Sequence, residues 1–175
     1  MRRIIVYGSR YGTAQRYAEA LSARTGIKVV SYTEIRDLAD ADHVIYVGSL
    51  YAGGVPGLSK TAKKLPADGL QKFFVVTVGL ADPGNEENVQ NIRKSVRRQI
   101  PEWLWQRTEL FHLRGGINYR QLGFFHTIMM KALYSKVKKI PPEKRTAEVQ
   151  GLIDTYQQTV DFTDFERLDE IMRKL

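Results

Sequence analysis

Cysteine is absent from the chain. That excludes disulfides, thiolate metal sites and a cysteine nucleophile. No apolar run reaches the roughly eighteen residues of a membrane-spanning helix. The first residues run straight into a strand pattern, with no apolar signal-peptide core. A cytoplasmic protein is therefore expected, peripheral at most on the inner face of the cell membrane. Histidine is scarce, and no two of His43, His112 and His126 stand at helical metal-ligand spacing. No metal site is expected. His43 and His112 fall in or near strands and read as structural, which leaves His126 as the one histidine to test. No Ser/His/Asp set is visible, so no residue takes a catalytic role. Internal repeats and low-complexity segments are also missing.

What is present is an uneven charge. The net charge is +8. Residues 93–145 hold 13 of the 27 Lys and Arg but only 3 of the 19 Asp and Glu. The basicity belongs to that region alone. It calls for an acidic partner there, such as nucleic acid, an anionic membrane or a carboxylate-rich substrate, or else it is a soluble surface. At 175 residues, one domain spanning 1–175 with its own core is expected.

The first twenty residues organise the rest. Arg3 to Gly8 reads as a buried strand. Ser9 to Ala14 reads as a tight polar loop. A helix then carries Ala14, Tyr17, Ala18 and Leu21 on one face. Loop amides at a helix start have no intrahelical partner, and the helix dipole favours negative charge there. The loop is either an anion site or an ordinary strand-to-helix turn.

Strand patterns recur at 27–30, at His43 to Gly48, at Phe73 to Gly79 and at Thr108 to Leu113, with helical patterns between them. The helix after Asn85, its expected N-cap, buries Val89, Ile92, Val96 and Ile100 and carries Arg93, Lys94, Arg97 and Arg98 outward. This alternation predicts an α/β fold with an open parallel sheet covered on both faces. Ligands in such sheets bind beyond the carboxyl ends of the strands. The loops at Ser9–Ala14, Ser49–Gly54 and Gly79–Asp82 all end there. Residues 118–139 read as one helix with a broad apolar arc and a run of lysines, stopped by Pro141 and Pro142. A helix is expected around Val149 to Tyr156. Thr163 with Glu166 makes a capping-box pattern before a closing helix that buries Phe165, Leu168, Met172 and Leu175.

Together the three loops resemble those of flavodoxin-like FMN proteins. The family's phosphate loop has the pattern Ser/Thr-x-Thr-Gly-x-Thr, matched here by Ser9, Arg10, Tyr11, Gly12, Thr13 and Ala14, with Tyr11 and Ala14 replacing two threonines. The resemblance implies a doubly wound five-stranded parallel sheet in order 2-1-3-4-5, with a basic, apolar helical insert after the fifth strand (118–145). It implies FMN as cofactor, with those six residues around the phosphate. Ser49, Leu50, Tyr51, Ala52 and Gly53 would border the flavin ring, with Tyr51 placed to stack. Gly79, Leu80, Ala81 and Asp82 would close the other side. That last loop has no aromatic, which leaves one ring face open to a substrate.

A narrower likeness is to the bacterial menaquinone-dependent protoporphyrinogen oxidase branch. It rests on Ser9, Arg10 and Gly12, on Gly115, Tyr119, Arg120 and 125–134, and on 160–166. It implies an FMN enzyme of heme biosynthesis that oxidises protoporphyrinogen IX with a quinone as acceptor. Arg114, Tyr119, Arg120, Phe124, His126, Met130 and Lys131 are then the candidates for substrate or membrane contact, with Lys136, Lys138 and Lys139 nearby. An aromatic and methionine face with lysines suits an apolar, carboxylate-bearing substrate, and equally an anionic membrane surface. Alternatively Leu122, Phe125, Met129 and Leu133 are plain core, which leaves Phe124, Ile128 and Met130 to widen the arc. Two other functions fit the fold: a flavodoxin-type electron carrier for a protein partner, and a binding module that has lost FMN. Nucleic acid is not an expected partner, since no reading module is present.

Overall fold

A computed structural model describes residues 2–51 and 53–175. Five parallel strands form the sheet: β1 (Arg3–Gly8), β2 (Val29–Ser31), β3 (His43–Ser49), β4 (Lys72–Gly79) and β5 (Thr108–Arg114). Their order is β2-β1-β3-β4-β5, as expected. Each passes to the next through a helical or irregular crossover: α1 (Thr13–Thr25) after β1, α2 (Leu58–Ala62) after β3, then α3 (Glu86–Gln99) and α4 (Glu102–Trp105) after β4.

Alternate side chains of each strand leave the sheet on opposite faces. Ile4, Val6, Val44, Tyr46, Phe73 and Val75 pack with Leu58, Ile92, Val96 and Leu104 of α2, α3 and α4. Ile5, Ile45, Val47, Phe74 and Val76 pack with Ala14, Tyr17, Ala18 and Leu21 of α1 on the other face. A closing helix, α7 (Leu168–Met172), adds Leu168 and Ile171 to that second core. β3 is buried at all seven positions because both faces are covered. Asn85 caps α3 as expected, its side chain accepting from the amide of Asn88 at 2.8 Å.

The stretch after β5 departs from the expected single helix. It begins with a short strand, β6 (Gly116–Asn118), and one 3-10 turn (Tyr119–Gln121). The Asn118 side chain caps that turn, accepting from the Arg120 amide at 3.0 Å. Only from Phe124 does a helix run, α5 (Phe124–Val137), followed by α6 (Ala147–Asp154). β6 pairs antiparallel with β7 (Thr159–Asp161), with Ile117 opposite Val160. The capping box is also corrected. Thr163 bonds back to Asp161, and the Asp164 side chain accepts from the amide of Glu166 instead. Asp164 lies closer to the turn it caps, so the shorter link wins. Among the described residues, no helix is long and apolar enough to cross a membrane.

Candidate functional site

The carboxyl ends of β1, β3 and β4 meet at one cavity of about 610 Å³. Its floor is the set of three loops; its roof is α5 and α6. Such a volume lies within the range of small-ligand sites.

The first loop leaves β1 at Gly8 and turns into α1 through Gly12, whose φ of +86° supplies the left-handed conformation that starts the helix. The Ser49 hydroxyl locks the first two loops together. It donates to the Gly8 carbonyl at 3.2 Å and accepts from the Arg10 amide at 3.2 Å. The Ser9 hydroxyl is buried and has no hydrogen-bond partner. A buried unpaired hydroxyl is costly unless a ligand completes it. Beside the unsatisfied first-turn amides of α1, it suits a phosphate.

Other members of the loop differ from expectation. The Thr13 hydroxyl donates to the Gly116 carbonyl at 3.0 Å, so it anchors β6 rather than standing free for a phosphate. Ala14 is fully buried in the α1 core and offers a ligand no side-chain contact. The Arg10 guanidinium lies over the Tyr51 ring at 5.2 Å, so it braces the second loop. Tyr11 lines the cavity and reaches up to its roof. Its hydroxyl donates to Met130 Sδ at 2.6 Å, and its ring meets Tyr51 and His126 edge-on at 6.4 and 6.2 Å. Burial, with Tyr51 and Tyr119 close by, pushes its phenol well above the usual value, so it stays a neutral donor.

In the second loop, Leu50, Tyr51 and Gly53 line the cavity. Tyr51 and Gly54 exchange backbone hydrogen bonds at 2.9 and 3.0 Å, closing a tight turn with Gly53 at φ +80°. Ala52 lies outside the described residues. In the third loop, Gly79 and Leu80 line the cavity, but Ala81 and Asp82 do not. Ala81 is buried elsewhere, and Asp82 closes its own turn by accepting from the Gly84 amide at 2.8 Å.

The insert residues sort differently from expectation. Met130 is 1% exposed and faces the cavity, whereas Phe125 is 79% exposed. The helix is apolar around much of its circumference, so composition alone does not say which side turns in. Phe124 (80%) and Ile128 (52%) are exposed, with Arg120 and Lys131 exposed beside them in sequence. Arg114 is a brace: its Nε donates to the Leu80 carbonyl at 3.0 Å, and its guanidinium sits 3.8 Å over the Phe162 ring. Tyr119 meets Tyr156 edge-on at 5.5 Å, and Tyr134 stacks on Tyr156 at 3.7 Å. Burial and Tyr156 push the Tyr119 phenol up to about 12. His112 is held below its usual value by burial and then by Arg93. It bonds Thr77 at 2.7 Å, away from the cavity. Among the described residues no three or more His, Asp and Glu side chains come together as a metal site.

Of the insert's lysines, Lys136 and Lys139 line the cavity. The roof also brings in Glu148, Val149 and Leu152, which sequence reasoning did not assign to the site. Glu148 Oε2 is buried and has no partner, and burial pushes its carboxyl up to about 7. In sequence it stands one residue before the helical pattern that starts at Val149, and nothing marks it for the site.

The sequence matches the flavodoxin domain family over residues 4–144. The chain belongs to that family. A flavodoxin domain points to flavin, here FMN, as the ligand. The residues present fit FMN: the Ser9 hydroxyl, in the loop that opens α1, is buried without a partner, and Tyr51, Leu50 and Gly79 border the apolar cavity, which Ser9, Arg10 and Gly12 do not themselves line. Comparison with curated proteins found no match. Among solved structures, the chain is similar to an azoreductase from Bacillus anthracis str. Sterne, with 10% identity over 65% of this chain and 86% of that one and a TM-score of 0.43. It is similar to a flavodoxin from Pseudomonas aeruginosa, with 18% identity over 78% and 96% and a TM-score of 0.40. A flavodoxin from the domain Archaea gives 13% identity over 66% and 85%, with a TM-score of 0.41.

Proposed function

We propose that this flavodoxin-domain protein is an FMN-dependent oxidoreductase that takes two electrons from an apolar, carboxylate-bearing substrate and passes them to a membrane quinone. Protoporphyrinogen IX is the substrate the reading favours. The observation that carries it is the roof. α5 and α6 extend the flavin cleft into a cavity with apolar walls of Leu50, Leu80, Met130 and Leu152, with Lys136 and Lys139 in the same lining. An apolar macrocycle suits those walls, and its propionates suit the lysines. An electron carrier for a protein partner has no use for such a covered chamber.

Bound FMN supplies the redox chemistry. The protein's part is positional. Ser9 and the α1 amides hold the phosphate end, and Tyr51 and Leu50 border the ring. Tyr11 and Met130 hold the roof to the first loop. The quinone side of the reading rests on Phe124, Phe125 and Ile128, three exposed apolar side chains at the start of α5. With Arg120 and Lys131 beside them, they suit shallow insertion into an anionic bilayer, where lipid quinones reside.

Anaerobic mixing of the FMN-loaded protein with protoporphyrinogen IX tests this. Bleaching of the flavin band, reversed by a quinone, is the expected result. No bleaching, together with rapid reduction by a flavodoxin reductase, would favour the electron carrier.

A further inference from the structure

Glu148 has no role in the chemistry so far, yet its position is specific. It stands just beyond residues 4–144, the span shared with the flavodoxin domain family. It is the only carboxylate among the described residues lining the cavity. Its Oε2 is buried without a hydrogen-bond partner. A carboxyl in an apolar wall with no partner is a cost that packing alone does not repay.

The fold holds it there from several sides. The Thr146 side chain caps α6 and accepts from the Val149 amide at 3.3 Å, which fixes Glu148 in the first turn. Gly79, at the end of β4, lets that turn come close: a Cβ there would sit 3.1 Å from Glu148 Oε2 and 2.8 Å from Leu50 Cδ1. Gly151 keeps α6 near the third loop, since a Cβ at that position would be 3.5 Å from the Ala81 amide nitrogen. The carboxyl therefore lies at the end of β4, beside the Leu50 and Leu80 loops that border the flavin end of the cleft.

We propose that Glu148 is the catalytic proton acceptor in the cleft, taking the proton that leaves the substrate as its hydride goes to the flavin. This rests on the oxidoreductase reading above. In each two-electron step a substrate C–H bond breaks, and its hydrogen leaves with both electrons for the flavin. The N–H bond of the adjoining pyrrole breaks and its proton passes to the Glu148 carboxylate; the pyrrole double bonds shift, leaving a C=C bond at the former C–H carbon and a C=N bond at the nitrogen. The quinone then takes the hydride equivalent from the flavin and the proton from Glu148. It leaves as the quinol, and the carboxylate is restored.

The surroundings suit a carboxyl that changes its proton near neutrality. The other titratable groups in the lining are Tyr11 and Tyr51 from the loops, Lys136 from α5 and Lys139 just after it. α3, which packs beside α6, sends no side chain into the lining. Neither lysine is within salt-bridge distance of the carboxyl among the described pairs. Burial therefore dominates and holds the carboxyl near 7.

The test uses FMN-loaded wild type, Glu148→Gln and Glu148→Asp. Flavin reduction by protoporphyrinogen IX is followed anaerobically against pH, and the flavin midpoint potential is measured against pH without substrate. In the wild type the reduction rate should rise with pH around 7, and the potential slope should break there. Glu148→Gln should lose about 100-fold or more in rate, lose both pH features, and bind FMN as the wild type does. Glu148→Asp, which keeps a carboxyl, should keep the break. A Glu148→Gln protein that retains the wild-type break overturns the assignment. If protoporphyrinogen IX fails to reduce the wild type, the substrate reading falls, and the break alone then decides the role of Glu148.

Discussion

The Tyr11 hydroxyl donates to the sulfur of Met130 at 2.6 Å, across 119 residues of chain. One partner replaces a threonine of the family's phosphate loop. The other is a buried residue of α5 that faces the cleft. The departure in the loop is thus the place where the roof is fastened. Met130→Ala should remove a buried side chain and cost about 2–5 kcal/mol of stability. Tyr11→Phe, which keeps the ring, should cost about 1 kcal/mol. Urea denaturation reads both. Flavin reduction by substrate should suffer more than FMN affinity in Met130→Ala, because the roof and not the phosphate loop is loosened.

Ser9 and Thr13 should behave in opposite ways. The Ser9 hydroxyl is buried without a partner, whereas that of Thr13 holds Gly116. Ser9→Ala should leave the FMN-free protein as stable or slightly more so, yet weaken FMN binding about tenfold or more, the loss of one bond to a charged phosphate. Thr13→Val should destabilise the FMN-free protein itself. Thermal melts with and without FMN separate the two.

Much of this was legible from residue order. The strand–loop–helix alternation marks the sheet, because strands buried on both faces need long apolar runs. The Asn85 cap and the glycine-rich loops mark element ends, because their chemistry is local. The roof was less legible. Three-residue strands such as β6 and β7 carry no periodicity, and they pair across about forty residues. The phase of α5 was hidden because Phe124, Phe125, Ile128, Met129 and Met130 place apolar groups on most sides. Nothing in the sequence marks Glu148 for the site until Gly79 and Thr146 bring it over the cleft.

Gly12 should be intolerant for a backbone reason. A Cβ there meets nothing within 4 Å, so a larger side chain has room, but φ is +86°. Gly12→Val should cost about 1–2 kcal/mol through that left-handed conformation and weaken FMN binding about tenfold. Gly12→Asn, which tolerates such a backbone better, should lie between the two. Fluorescence titration with FMN gives the ranking. Equal affinity in all three would remove the loop from the site.

The apolar tip of α5 should matter only at membranes. Phe124→Asp with Ile128→Asp changes exposed side chains, so stability and FMN content should hold. Cosedimentation with anionic phospholipid vesicles should fall severalfold. Unchanged cosedimentation would leave the tip as surface. Met130 does not belong in this test, since it is buried.

Glu148 should also shape stability against pH. Burial raises its carboxyl to about 7 from the ordinary 4.5. Between those values the folded chain keeps a proton that the unfolded chain releases, so this contribution is full below 4.5, falls as pH rises and levels off above 7. Glu148→Gln should match the wild type near pH 4 and exceed it by on the order of 1–3 kcal/mol at pH 8. Denaturant curves at the two pH values supply the comparison.

The FMN cleft itself is tested most directly by titrating FMN into the flavin-free protein and following flavin fluorescence. The expected result is one FMN bound per chain, with emission quenched beside Tyr51 and affinity weakened in Ser9→Ala. A wild-type chain that leaves FMN emission unchanged, with no flavin found in the protein by mass, would contradict the assignment of this cleft.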